Sequence, residues 1–280
     1  MKATKKYQIR KDLTKIVDGS IVYRIEALKD FSFIKKGSLG GWVESESNLS
    51  QEGTCWVSDN AVIYGKAQVY ANAKVGGEAF IHDNAKVGGC ALIYDNADIF
   101  EDAEIFGNGS VSDNAKVYGY AQVYDNAKVF NNADICDCAK IGGEAYVGNN
   151  GIIYDCAQVY GNAKIYGKAE IFEHAKVCGY AEINNNAKVY GSVIVNGYAE
   201  IGGDAEVNTD SSYYAIKNMW SSGRYFTYTR SNKMWRVGCF YGTSEQLIEK
   251  AYKDSKVSGQ CYESVVKWVE DVYRIIEDNK

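Results

Sequence analysis

From residue 55 to residue 210 the chain divides into 26 consecutive hexads without an insertion, and few folds accept such a run. Residues 73–78 (AKVGGE), 115–120 (AKVYGY), 121–126 (AQVYDN) and 163–168 (AKIYGK) show the pattern. The third position is Val or Ile in every hexad through Val207. The first is Ala except at Cys55, Gly109, Gly151 and Val193, and the fifth is Gly, Asp or Asn in 22 of the 26. Two looser turns, at Val43 and Leu49, precede a two-residue slip near Thr54. The aliphatic residue is expected to point inward and fill a core. Alanine points inward near a corner that admits nothing larger. Gly, Asn and Asp tolerate positive φ at the turn. Three hexads close a triangular coil of 18 residues, and nine coils at the sheet spacing of about 4.8 Å make a rod of roughly 43 Å. One coil alone cannot bury its core, so stacking supplies the cooperativity.

Composition agrees with a chain dominated by sheet ladders. Among 280 residues there is no proline, which has no N–H to give to a ladder, and there are 23 tyrosines. No apolar run approaches a membrane span, and the amino terminus (MKATKKYQIRKDLTK) lacks the apolar core of a signal peptide, so a cytoplasmic location is expected. The eight cysteines (55, 90, 136, 138, 156, 178, 239 and 261) show no paired framework, and reduced thiols are expected. The net charge of −5 conceals a segregation: residues 1–42 carry +6, residues 43–210 carry −14 with no arginine, and residues 211–280 carry +3. An acidic middle repels nucleic acid phosphates, so nucleic acid is not an expected partner.

The hexads of residues 43–210 resemble the hexapeptide-repeat superfamily of left-handed β-helices, many of which are acyltransferases. The segment GGWVESESNLSQEG (40–53) is similar to the entry of a bacterial and prophage-borne subgroup that carries a transferase label without a shown activity. Left-handedness is implied by the resemblance alone, since general crossover sterics favour the right hand. The expected fold is mainly β: a left-handed parallel β-helix of about nine 18-residue coils over residues 43–210. An N-terminal β cap (1–42) and a small α+β unit (211–280) complete it.

The cap contains strand-like stretches, Lys6–Arg10 and Ser20–Leu28, and covers an edge that would otherwise recruit another chain. After Asp210 the segment RYFTYTR–SNK–MWRVGCF reads as a hairpin with its turn at Ser231–Lys233. Thr243 and Gln246 form a capping box for a helix of about 12 residues. A second helix is expected from about Cys261 to Asn279, with Val265, Val266, Val269, Val272, Tyr273 and Ile276 on one face.

Residues 18 apart stack on one face of the rod. One outward ladder reads Tyr64, His82, Phe100, Tyr118, Cys136, Tyr154, Phe172, Tyr190, richer in aromatics than its counterparts on the other two faces. Three readings stand: a subunit interface, stacking of the rings on each other, or partial cover by the tail helix, which spans about 27 Å. The resemblance implies trimers with rods side by side. Beside the stripe runs a charge ladder of Asp98, Lys116, Asp134, Glu170, Lys188 and Glu206, and Asn96, Asn114, Asn132 and Asn150 stack at one corner.

Candidate chemistry lies in three places. Enzymes of the resembled family commonly use a histidine base and bind coenzyme A between neighbouring coils. Of the two histidines, His82 sits within the stripe and His174 at a corner, and His82 is the candidate base. Acyl-CoA would be the cofactor only in that case, and the rod has no arginine for its phosphates. Cys138, Cys156 and His174, with Cys136 nearby, form a candidate metal set, although in-register side chains run parallel rather than convergent. In the tail, Arg224, Tyr228, Arg230, Trp235 and Arg236 interleave arginine with aromatics, which suits a nucleotide-like ligand or an acidic partner. The alternative is aromatics packed away and arginines paired with the acidic rod. Three functions follow. The regular rod, with two histidines and no inserted loops, favours a non-enzymatic binding or assembly module, an oligomer that binds a small ligand or a protein partner. The superfamily favours an acyl-CoA-dependent acyltransferase. The charge of −14 motivates an acidic rod that mimics nucleic acid.

Overall fold

A computed structural model describes residues 5–220 and 223–279. The hexads fold into a parallel β-solenoid of about nine coils. Positions two and three of each hexad form a two-residue strand, as at Lys74–Val75 and Lys116–Val117. Strands 18 residues apart pair in parallel, so that Asp98 lies beside Lys116, Leu92 beside Ser110 and Glu104 beside Gln122. Three sheets result. The inward alanines and aliphatics of the hexads are 0–2% exposed and form one continuous core, as their spacing predicts.

Every fifth-position residue from Asp59 to Gly203 has positive φ, including Ala71, Glu101 and Glu173, where the sequence departs from Gly, Asp and Asn. A second role explains why acids and amides share this position with glycine. The N–H groups of positions two, four and six donate to the next coil, as in Lys74 N to Ala91 O at 2.9 Å and Glu78 N to Asp95 O at 2.7 Å. At many corners the fifth-position N–H instead meets a side chain one coil back. Asp113 Oδ2 accepts from Asn131 N at 2.8 Å, Asn131 Oδ1 from Asn149 N at 3.3 Å, and Glu101 Oε2 from Gly119 N at 2.9 Å. At 101 this bond offsets the backbone cost of a glutamate with positive φ. The expected amide ladder forms beside these turns, with Asn96, Asn114, Asn132 and Asn150 bonded in sequence at 3.1–3.3 Å.

The ladder is unequal in its two directions: the N–H groups of positions two, four and six donate toward the C-terminal end, whereas parallel strand pairing sends only the third-position N–H back, to the second-position carbonyl of the preceding coil. The N-terminal cap accordingly supplies donors. Strands Tyr7–Val17 and Ser20–Ala27 form an antiparallel hairpin, turning at Asp18 and Gly19 (φ 47° and 82°). A third strand, Leu39–Val43, pairs antiparallel with Ser20–Ala27 and parallel with Val62–Ile63, so the hairpin extends the first sheet. Lys6, 1% exposed, directs its Nζ to Cys55 O at 2.9 Å, and Tyr7 donates to Leu49 O at 2.6 Å. Arg24 donates to Asp59 O at 2.6 Å.

The tail supplies acceptors at the other end, and a donor where a carbonyl faces it, since Tyr213 Oη donates to Ile194 O at 3.2 Å. Thr227 Oγ1 accepts from Glu200 N at 2.9 Å and Ser231 Oγ from Glu206 N at 2.7 Å. The expected hairpin is present as Tyr225–Thr229 paired with Met234–Val237, and Tyr213–Lys217 and Phe240–Gly242 widen it to four antiparallel strands. Helix α1 (Ser244–Asp254) starts at the Thr243/Gln246 capping box. Helix α2 spans Lys256–Asp278 and begins about five residues earlier than its apolar face suggested. Ser255 caps it, and Gly259 lets the helices close, since a Cβ there would meet Tyr252 Cδ1 at 2.2 Å. Among the described residues no helix is long and apolar enough to cross a membrane.

Ala71 is the one non-glycine corner from Asp59 to Gly203 that has positive φ and a side chain with no acceptor to offer the next coil. Ala71→Asn relieves the backbone and gives Gly89 N–H an acceptor, and is expected to stabilise the protein by about 1 kcal/mol in urea unfolding. An unchanged or lowered midpoint would contradict the corner account.

Candidate functional site

The aromatic stripe lies on the first sheet, and its rings stack on each other. Centroids from Tyr64 through His82 and Phe100 to Tyr118 are separated by 5.0, 5.2 and 4.7 Å, with planes within 10° of parallel. Tyr154, Phe172 and Tyr190 form a second stack at spacings of 4.9 Å. Cys136 interrupts the two. It is 9% exposed, and burial pushes its thiol up to about 11. Helix α2 packs on the tail sheet and approaches the stripe only at its end, where Glu277 and Tyr190 line one shallow cavity. Of the charge ladder, Glu170 and Lys188 close an ion pair at 3.1 Å, while Asp98 turns toward His82.

His82 has both ring nitrogens engaged: Nδ1 lies 3.1 Å from Asp83 Oδ2 and Nε2 lies 3.1 Å from Asp98 Oδ1. Burial opposes its charge, but the hydrogen bonds and charges of Asp98 and Asp83 outweigh burial and raise its pKa above the ordinary value. With both ring nitrogens held by carboxylates, His82 offers neither of them to a substrate in this geometry and serves as a clasp between coils.

The tail residues do not converge. The register pairs Tyr228 with Trp235 and Thr227 with Arg236, which gives the sheet two unlike faces. Tyr228 and Trp235 face the helices and are 6% and 0% exposed. Trp235 Nε1 donates to Ser244 Oγ at 3.0 Å, and the Tyr228 ring lies 4.9 Å from Trp235 and 5.5 Å from Tyr273. Arg236 faces the rod and pairs with Glu200 at 3.0 Å, whereas Arg230 pairs with Glu277 at 2.8 Å. Strand alternation was legible, but it could not say which face the helices would cover.

Arg224 alone lines a cleft of about 350 Å³, where the tail meets the last coils. Tyr180, Tyr198 and Tyr225 form one wall, stacked at 4.8 and 4.6 Å. Lys164 and Glu182, paired at 2.8 Å, line the other with Glu200. The sequence held a signal for this site: Tyr180 and Tyr198 are 18 apart at the sixth hexad position. Tyr225 joins them only through the tail's placement.

Cys138, Cys156 and His174 do share a corner cleft, with Asp137, Asp155 and Glu173. Among the described residues, no three His, Cys, Asp or Glu side chains converge as a metal set. Burial and the neighbouring Cys138 raise the Cys156 pKa.

The His82 clasp gives stability a pH dependence. A pKa raised on folding contributes stability that is complete below the unfolded value of about 6.5 and is lost as pH rises through the folded value. Relative to His82→Phe, which keeps a ring in the stack, the native chain should lose up to about 1 kcal/mol between pH 6 and pH 9. Parallel urea midpoints for the two proteins across that range would remove the clasp.

No family model matches the chain. Over 50 residues it is 40% identical to a protein of Escherichia coli (strain K12) named uncharacterized acetyltransferase YdcK. That stretch is 18% of this chain and spans 15% of the relative's length. The hexads, the three-sheeted coil of 18 residues that they build and this match together make the chain a hexapeptide-repeat β-solenoid protein.

Proposed function

We propose that this chain is a binding and assembly module: a rigid oligomeric rod that holds a small ligand or a partner, without catalysing its conversion. The observation that carries this reading is His82, the better-placed of two histidines, fixed between Asp83 and Asp98 at both nitrogens. The other histidine, His174, stands exposed at a corner. The rod also runs from residue 55 to residue 210 without an inserted loop to enclose a reaction. Copies of the rod associate as a trimer through the stacked stripe of Tyr64, Phe100, Tyr118, Tyr154, Phe172 and Tyr190 around His82.

A second reading, an acyl-CoA-dependent acyltransferase, is favoured by the short match to a protein whose name is that of an acetyltransferase. The two separate in one assay. The binding reading expects no protein-dependent release of free thiol from acetyl-CoA across a panel of amine and hydroxyl acceptors. Native mass spectrometry should find a trimer. Saturable thiol release that disappears in His174→Ala would establish the transferase, and a monomer at micromolar concentration would remove the stripe as an interface.

A further inference from the structure

We infer that the cleft between the last coils and the tail is a site for a planar aromatic anion of mononucleotide size. This rests on the binding reading and names the class of ligand.

Charge selects the anion. Both carboxylates in the cleft are neutralised in place: Glu182 by Lys164 at 2.8 Å with Tyr166 Oη at 3.2 Å, and Glu200 by Arg236 at 3.0 Å. Arg224 is exposed, and among the described residues no carboxylate pairs with it. Its position is built by Gly238, which adopts φ 55°, and a Cβ there would press on Arg224 Cδ at 3.1 Å. The cleft therefore presents one uncompensated guanidinium, a group with fork geometry for a phosphate or carboxylate.

The wall selects the ring. Tyr180 and Tyr198 are 52% and 46% exposed, which is high for rings stacked at 4.8 Å on a rod whose other stripe is half-buried. Asn162 stands one coil before Tyr180 at the same hexad position and lines the cleft, where its amide offers a donor and an acceptor to a heterocycle edge. Because the tyrosines stack face to face, they turn their edges to the cleft, which suits an edge-to-face contact with a planar ring, and a volume of about 350 Å³ lies in the range of small-ligand pockets. A ring against the tyrosines with its anionic group on Arg224 uses both features at once.

The test is titration calorimetry of the full chain with adenosine monophosphate, adenosine and inorganic phosphate. AMP should bind at least tenfold more tightly than either part. Arg224→Ala should weaken AMP at least tenfold without shifting the melting temperature, and Tyr180→Ala should weaken AMP while leaving phosphate unchanged. Arg230→Ala, paired on the far side of the tail, should bind AMP as the native chain does. Equal AMP affinity in Arg224→Ala, AMP no tighter than phosphate, or no binding at millimolar AMP would each overturn the inference. A different small molecule released on denaturation, with AMP failing to bind, would overturn this site and leave the binding reading standing.

Discussion

The fold depends on a hydrogen-bond ladder that runs mostly one way. Each hexad gives three amide hydrogens to the next coil and sends one back to the coil before. Parallel in-register pairing leaves two unlike ends, one richer in bare carbonyls and one richer in bare amides. The ends are met by opposite chemistry. Lys6, Tyr7 and Arg24 bring donors to the carbonyl end, and Thr227 and Ser231 bring hydroxyl acceptors to the amide end.

The same regularity decides where chemistry can sit. On the sides of the rod every residue has a copy of its surroundings one coil above and below, so outward side chains find partners in their own ladder. Rings stack on rings, amides bond amides, and His82 is absorbed between Asp83 and Asp98. A group left without a partner must lie where the periodicity breaks. Arg224 stands at such a break, where an aperiodic tail meets the last coils and adds one more tyrosine to the stack of Tyr180 and Tyr198.

Much of this was legible in the chain. The 18-residue register, the inward alanines and aliphatics, the amide ladder, the Ser231–Lys233 turn and the Thr243 cap all follow from side-chain period and local turn chemistry. Local signals extend further than these. Val17–Asp18–Gly19–Ser20 is a two-residue hairpin signal, and the first strand continues to it rather than ending near Arg10. The acids at fifth positions tolerate positive φ, and several of them also accept a backbone N–H one coil on.

Sequence alone determined the solenoid, because a six-residue period with one inward aliphatic and one inward alanine has few geometric solutions. It determined the composition of the tail strands in the same way, through alternation. Only the tertiary structure decided which alternate face met the helices, and so sent Tyr228 and Trp235 into the core and Arg236 to Glu200. Periodic contacts are local in register and can be counted along the chain. The docking of an aperiodic unit onto the end of a rod depends on surfaces hundreds of atoms apart, which no spacing encodes.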